Sequence, residues 1–372
     1  MANNNSDRNR NSASQRSSNP HRPSGNSGGH SHKKKKRVPN YPRIIACALP
    51  VLLIICVIVI ILRIQVWNKG KPYIITEEDI ESIKLDTKDN IILMPPSLIA
   101  KDSDDGVTNV LILGNDSYSE GISDGSGIID LFEKGVSDKV EIYNCSLPGS
   151  YLNAFNNEEL SPSECPEDYF TLFWLAFNLK WKDFSKQKEA LLYLDKDKYD
   201  IERYEEVIST LEGLDISNID VVMFCYDGHD YRAGHQPINF NENSADAQTE
   251  NLQTLLGAVY TSVYLFNYDN PNTQYVFVSP AFCYAIDDDN KKVSCAMYDT
   301  GYGTIEETFN AARRLTDYFG VSYIDLYSGV LINEDNADNY LEDDGITPNK
   351  NGRQMIADRL VTLLKDRLTE SK

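Results

Sequence analysis

The feature that most constrains this chain is an uninterrupted apolar run near its N-terminus. Ile44–Leu62 contains nineteen residues without a charge, and as a helix it would be about 28 Å long, close to the ~30 Å thickness of the hydrocarbon core of a bilayer. No small-x-small cleavage site follows the run, which favours an uncleaved signal anchor over a signal peptide. The sequence therefore predicts one transmembrane helix at residues 44–62.

The charges on either side of this run predict its orientation. Residues 1–43 carry ten Lys and Arg against one acidic residue, whereas residues 63–372 carry 26 against 55. Because positive charge is retained on the cytoplasmic side of a membrane, we predict a basic cytoplasmic tail over 1–43, disordered for want of large apolar side chains. Residues 63–372 are then extracytoplasmic, as in a single-pass type II protein of the cell membrane.

The same charges bear on the partners of the chain. The run Lys33–Arg37 could indicate nucleic-acid binding, but its position directly before the apolar run favours a role in membrane topology. The acidic balance of residues 63–372 disfavours nucleic-acid recognition by the main domain. We therefore expect the membrane and a neutral or cationic small molecule as partners, and no nucleic acid.

The residues after the membrane run alternate between two patterns. A stalk is predicted over 63–105 and an α/β domain over 106–370. Short runs rich in β-branched residues predict five strands, at Val107–Leu113, Lys139–Cys145, Asn218–Tyr226, Gln274–Ser279 and Val321–Leu326. Helical spacing predicts helices at Ala245–Phe266, Ile305–Phe319 and Arg353–Leu368. This alternation predicts a parallel sheet covered by helices on both faces.

Two further segments carry predictions of their own. The long connection 151–213, first aromatic and then charged, is interpreted as an insertion that forms a lid or wall beside the site. Cys283 and Cys295 flank an acidic, hairpin-like loop, and a disulfide and a pair of buried free thiols are equally compatible with that spacing. No zinc-type cysteine motif is present in the sequence, and we predict neither a metal nor a cofactor.

Four short segments are candidates for the functional site, because three of them follow predicted strands and the fourth precedes the last predicted helix. Residues 116–121 read Asp-Ser-Tyr-Ser-Glu-Gly, residues 144–149 read Asn-Cys-Ser-Leu-Pro-Gly, and residues 226–230 read Tyr-Asp-Gly-His-Asp. Residues 344–352 read Asp-Gly-Ile-Thr-Pro-Asn-Lys-Asn-Gly. In this order the segments resemble the four motif blocks of the SGNH (GDSL-type) hydrolases, over residues 107–370.

The resemblance implies a flavodoxin-like three-layer sandwich with a five-stranded parallel sheet. It also implies roles for individual residues: Ser117 as the nucleophile, Asp344 as the acid of the triad, and Asp116 as a supporting residue in the first turn. Ser117, Ser146 and His229 occupy the three oxyanion-donor positions, where the family has Gly and Asn in place of Ser146 and His229. Thr347 occupies the position of the family's catalytic histidine, and Asn115 that of a glycine.

The loss of that histidine leaves the identity of the base open. His21, His30 and His32 lie in the predicted cytoplasmic tail, so His229 and His235 are the remaining imidazoles. A first hypothesis is that His229 acts as a relocated base, oriented by Asp344 or Asp230. The alternatives are a site that has lost its activity and kept its shape, and Asp344 acting directly as a weak base.

By resemblance, the activity is that of a serine esterase or acyltransferase acting on O-acyl groups of a cell-envelope polysaccharide or other polymer. An acylated carbohydrate or other small ester is then the expected substrate. The alternative is a catalytically inactive SGNH-like domain that binds a surface glycan or a partner in an envelope biosynthesis complex. An adhesive ectodomain without ester chemistry is least favoured, because it leaves the order of the four blocks unexplained.

Overall fold

Five parallel strands form the main sheet of the domain. The structure is a computed structural model that describes residues 88–99, 106–241 and 244–369, all within the compact unit Ile75–Lys372. The strands are β1 (Thr108–Gly114), β2 (Val140–Asn144), β3 (Val221–Cys225), β4 (Gln274–Val278), β5 (Tyr284–Ile286), β6 (Lys292–Ser294) and β7 (Val321–Ile324). The main sheet has the order β2-β1-β3-β4-β7, and β5 and β6 form an antiparallel hairpin. The predicted five-stranded parallel sheet is confirmed.

Helices cover both faces of this sheet. They are α1 (Asp116–Ser119), α2 (Ile128–Gly135), α3 (Leu172–Trp181), α4 (Ser185–Ala190), α5 (Ile201–Gly213), α6 (His229–Arg232), α7 (Ala245–Thr249), α8 (Leu255–Asp269), α9 (Ile305–Phe319) and α10 (Lys350–Thr369). Short 3-10 turns occupy Pro96–Leu98, Ile122–Asp124, Pro166–Phe170, Ile216–Asn218 and Ala337–Asn339. Successive strand residues point to opposite faces, so the sheet separates two cores: Leu111 and Phe224 pack against α3, α5 and α8, and Val110 and Met223 pack against α2 and α10.

The predicted helix over Ala245–Phe266 is two helices in the structure, α7 and α8. The break comes at Thr254, whose backbone is extended and whose Oγ1 accepts a hydrogen bond from the Gly257 amide at 3.1 Å. A threonine in this position satisfies an amide that has no partner within the helix, which favours a new helix start. The helix predicted from residue 353 begins at Lys350, after Asn349 accepts from the Gly352 amide at 3.2 Å.

Much of the connection 151–213 belongs to the sheet's covering layer. Its helices α3 and α5 contribute Leu175, Leu179 and Ile208 to the core that contains Phe224. The turn before α3 adds the aromatic rings of Tyr169 and Phe170, both buried. Part of the aromatic character of this connection therefore reflects burial in the covering layer, whereas Trp181 is exposed.

The prediction of a tail at 1–43 and a transmembrane helix at 44–62 lies outside the described residues. Of the predicted stalk, residues 88–99 are described. Asn90 pairs with Tyr323 of the edge strand β7 through hydrogen bonds of 2.9 and 3.0 Å. Within the ranges that the structure describes, no helix is both long and apolar enough to cross a bilayer.

The packing of α10 onto the sheet predicts a large effect of truncating a buried leucine. Leu360 is fully buried, so Leu360→Ala should lower the free energy of unfolding by about 2–5 kcal/mol, through lost burial and the cavity that remains. Denaturant titration measures this change. Leu192→Ala is the matched control, because Leu192 is 76% exposed and a surface truncation should stay within roughly 0.5 kcal/mol. Equal effects of the two substitutions would contradict the described packing.

Candidate active site

The candidate site lies where the strand order of the main sheet reverses. β1 and β3 are neighbours with Gly114 level with Cys225, and ligands of such sheets bind in the crevice outside the carboxyl ends of these strands. Ser117 follows β1 in α1, and Asp227 follows β3 just before α6. The fold therefore brings together two side chains that are 110 residues apart in sequence.

The carboxylate of Asp227 is the centre of this site. The residue is 8% exposed. Its Oδ2 accepts hydrogen bonds from the Ser117 hydroxyl at 2.5 Å and from the Ser117 amide at 3.1 Å. Its Oδ1 accepts from Asn115 Nδ2 at 2.9 Å, from the His229 amide at 3.0 Å and from His229 Nδ1 at 2.7 Å. Asp227 therefore lies between the candidate nucleophile and the candidate imidazole.

The charges of Asp227 and His229 stabilise each other. Burial alone would lower the pKa of His229, but the carboxylate of Asp227 and its hydrogen bond outweigh burial and raise this pKa to about 9. Burial alone would raise the pKa of Asp227, but the imidazolium and the hydrogen bonds from His229 and Ser117 hold it well below its ordinary value. At neutral pH the pair is an imidazolium beside a carboxylate.

Asp116 is the second carboxyl group of the site. Its Oδ1 accepts a hydrogen bond from the Gly149 amide at 3.0 Å, and Gly149 adopts a positive φ of 79° that favours glycine. Its Oδ2 is buried without a hydrogen-bond partner, 3.9 Å from His229 Nδ1. Burial, followed by repulsion from Asp227, raises the pKa of Asp116 to about 6.

The amides at two of the expected oxyanion positions already have partners. The Ser117 amide donates to Asp227, and the Ser146 amide donates to Asn144 Oδ1 at 3.1 Å. The third expected donor, His229, directs its Nδ1 to Asp227. The Ser146 hydroxyl is buried without a hydrogen-bond partner. In this structure the carboxylate of Asp227 thus accepts from donors that the resemblance assigns to an oxyanion.

The remaining predicted site residues form two separate pairs. Asp344 accepts from the Thr347 hydroxyl at 2.5 Å and from the Thr347 amide at 2.9 Å. These bonds outweigh burial and lower the pKa of Asp344. Asp230 accepts from His235 Nδ1 at 2.9 Å and from the amides of residues 152 and 153. The hydrogen-bonded carboxylate partner of His229 is therefore Asp227, in place of the Asp344 or Asp230 that the sequence suggested.

Two residues of this site were assigned no chemical role from the sequence. Asn115 and Asp227 each occupy a position where the resembled family has glycine. In the structure they are joined by two hydrogen bonds, of 2.9 and 3.0 Å. Their positions in the sequence could have indicated a role in the site, because Asn115 and Asp227 follow neighbouring strands at the carboxyl edge of the sheet. No group of three or more His, Cys, Asp or Glu within the described ranges is arranged to hold a metal ion.

The chain is similar to several solved structures, all at low sequence identity. A lipase/acylhydrolase from Enterococcus faecalis is 14% identical with a TM-score of 0.38, covering 72% of this chain and 100% of its own. A carbohydrate acetylesterase from Sinorhizobium meliloti is 12% identical with a TM-score of 0.38, covering 69% and 98%. A protein from Slackia heliotrinireducens assigned to the SGNH hydrolases is 13% identical with a TM-score of 0.36, covering 69% and 98%.

Neither the family models nor the curated proteins contain a match to this chain.

The ion pair predicts how His229 titrates. Asp227→Asn should lower the pKa of His229 from about 9 towards its ordinary value of 6.5, because the substitution removes the adjacent carboxylate. NMR titration of the histidine rings measures this shift. Asp230→Asn is the matched control, since Asp230 pairs with His235 and should leave His229 unchanged. An unaltered His229 titration in Asp227→Asn would exclude the pair as the cause.

The same pair predicts a loss of stability at high pH. The folded-state pKa of His229 is raised from 6.5 to about 9, so its stabilisation is fully present below the unfolded-state value and disappears as the pH rises through the folded-state value. The free energy of unfolding should fall over this window by at most about 3 kcal/mol. Denaturant titrations of the wild type and His229→Gln isolate this contribution. Parallel pH profiles of the two proteins would refute it.

Proposed function

We propose that residues 106–369 form an SGNH-type serine ester hydrolase or acyltransferase. The observation that supports this function most directly is the 2.5 Å hydrogen bond from the Ser117 hydroxyl to the Asp227 carboxylate. A serine hydroxyl needs an adjacent proton acceptor to act as a nucleophile. Asp227 supplies that acceptor, and His229 holds it from the other side.

In the proposed reaction, Ser117 Oγ attacks the acyl carbon of the ester and its proton passes to Asp227 Oδ2. Negative charge then moves from the Asp227 carboxylate to the carbonyl oxygen of the substrate. The nearby His229 imidazolium can stabilise that charge. When the intermediate collapses, the ester C–O bond breaks and the leaving alcohol takes the proton from Asp227. Water or an acceptor hydroxyl then frees the acyl group from Ser117 by the same steps in reverse. Because the low pKa of Asp227 makes it a weak base, we expect slow turnover.

The proposed substrate is an O-acylated carbohydrate of the cell envelope. The sequence supports this location through the apolar run at residues 44–62 and the positive charge before it. The excess of acidic residues over 63–372 favours a neutral or cationic acylated polymer. In this proposal, the membrane anchor holds the domain close to such a polymer on the extracytoplasmic side.

A second candidate function is a catalytically inactive domain that binds a surface glycan or a partner of an envelope biosynthesis complex. The observation that favours it is the use of the Ser117 and Ser146 amides by Asp227 and Asn144. An oxyanion would have to displace a buried carboxylate from its donors, which is electrostatically unfavourable. Turnover measurements decide between the two functions.

The decisive experiment is hydrolysis of a small acetyl ester by the purified full-length chain. Ser117→Ala should reduce turnover at least ~100-fold, and Asp227→Asn should do the same by removing the proton acceptor. Ser137→Ala is the matched control, because the Ser137 hydroxyl contacts the Asp138 side chain and the Lys139 amide, at the end of β2 opposite the candidate site. Turnover in the Ser117→Ala protein equal to that of the wild type would defeat the hydrolase function and leave the binding function.

The pH profile identifies the role of His229. If the imidazolium is required, Ser117-dependent turnover should be level near neutral pH and fall as His229 loses its proton around pH 9. If neutral His229 were itself the base, turnover would rise with pH over the same range. Subtracting the rate of the Ser117→Ala protein at each pH removes the contribution of hydroxide.

A further inference from the structure

Cys283 and Cys295 lie opposite each other at the base of the β5–β6 hairpin. Tyr284 is paired with Ser294, so the register places these two cysteines as the next pair. The Cys295 amide donates to the Cys283 carbonyl at 3.2 Å, and the Cys283 amide donates to Cys295 Sγ at 3.5 Å. Both residues are buried free thiols. Opposite residues of antiparallel strands have Cα atoms ~4.5–5.5 Å apart, within the range that a disulfide spans.

The thiol of Cys283 also contacts the loop of the candidate active site. A Cβ atom on Gly228 would lie 2.6 Å from Cys283 Sγ, so the sulfur packs directly against the backbone between Asp227 and His229. Only glycine leaves room for this contact. A change in the position of this sulfur is therefore transmitted to the peptide that carries both members of the ion pair.

Arg232 strengthens the connection between the hairpin and the site. This residue ends α6, the helix that begins at His229. Its Nη2 donates to the Tyr284 carbonyl at 2.7 Å and to the Asp344 carbonyl at 2.6 Å. The residue next to Cys283 is thus tied to the helix of His229 and to the loop of Thr347.

We propose that Cys283 and Cys295 are a redox-active pair that closes to a disulfide in the presence of a disulfide oxidant such as oxidised glutathione. The disulfide restrains the backbone around Gly228 and so alters the surroundings of His229. This inference does not depend on the ester hydrolase function. It requires only the described hairpin and its contact with the loop.

The chemistry of closure is a balanced thiol–disulfide exchange. Both thiols are buried, so oxidised glutathione reaches them when the hairpin opens locally. The hydrogen bond from the Cys283 thiol lowers the pKa of Cys295, which makes Cys295 the first nucleophile. Its thiolate attacks oxidised glutathione, forms a mixed disulfide and releases one glutathione. Cys283 then attacks the Cys295 sulfur and releases a second glutathione. Two protein thiols are oxidised, one glutathione disulfide is reduced to two thiols, and the two thiol protons pass to the released glutathione.

The test uses the purified full-length chain incubated with reduced or oxidised glutathione. Peptide mass mapping of the oxidised sample should show residues 283 and 295 linked, with a loss of two hydrogens. The melting temperature should rise by about 5–10 °C, because the bond constrains the unfolded chain. Cys295→Ser should abolish the rise. Cys165→Ser, which removes a part-exposed thiol outside the hairpin, is the matched control and should retain it.

Two outcomes would overturn the proposal. If Cys165 is glutathionylated while Cys283 and Cys295 are recovered as free thiols, the oxidant has reacted and the pair has not closed. If the disulfide forms and the ring resonances of His229 stay unchanged, its coupling to the site is refuted. His235 is the internal reference for that spectrum, since its ring bonds to Asp230 and not to the Asp227 carboxylate beside Gly228. These readouts need no ester turnover, so a failed hydrolase assay leaves them valid.

Discussion

The structure between the carboxyl ends of β1 and β3 depends on one buried charge, the carboxylate of Asp227. A carboxylate removed from water is costly unless hydrogen bonds and an opposite charge compensate it. Asp227 receives five hydrogen bonds, from Asn115, Ser117 and His229. Because each donor must lie within hydrogen-bond distance, this single group sets the geometry of the turns after β1 and β3. The conformation of the candidate nucleophile follows from that requirement.

The same carboxylate has two opposing effects on chemistry. It accepts a hydrogen bond from the Ser117 hydroxyl, which in the proposed reaction would assist attack on an ester, and it engages the Ser117 amide, which a tetrahedral intermediate would use. Asn115 and Asp227, at positions that are glycine in the resembled motifs, are joined by two hydrogen bonds. The site is therefore a hydrogen-bonded network centred on Asp227, in which Asp116 Oδ2 and the Ser146 hydroxyl are left without partners. In the proposed reaction, its chemistry depends on how readily charge leaves Asp227.

The surrounding elements hold this network from a distance. Arg232 joins α6 to the β5–β6 hairpin and to the loop of Asp344, while the Gly149 amide holds Asp116. Asp344 and Thr347, which correspond to the acid and base positions of the resembled triad, bond to each other. A threonine hydroxyl is a donor that satisfies this carboxylate, so Thr347 holds the turn that begins at Asp344.

The positions of the strands could be predicted from the sequence, because burial in a parallel sheet demands short β-branched runs separated by helical spacing. All five strands lie within the predicted runs or one residue beyond them, and the helix Ile305–Phe319 has the predicted ends. The motif order also indicated Asp116, Ser117 and His229 as residues of the candidate site, but it assigned no role to Asp227, the residue to which Ser117 bonds. The hydrogen bonds between the side chains of the site could not be predicted from the sequence. The hydroxyl of Ser117 bonds to Asp227, 110 residues away, and such a contact depends on strand register and side-chain direction, which a linear motif does not encode.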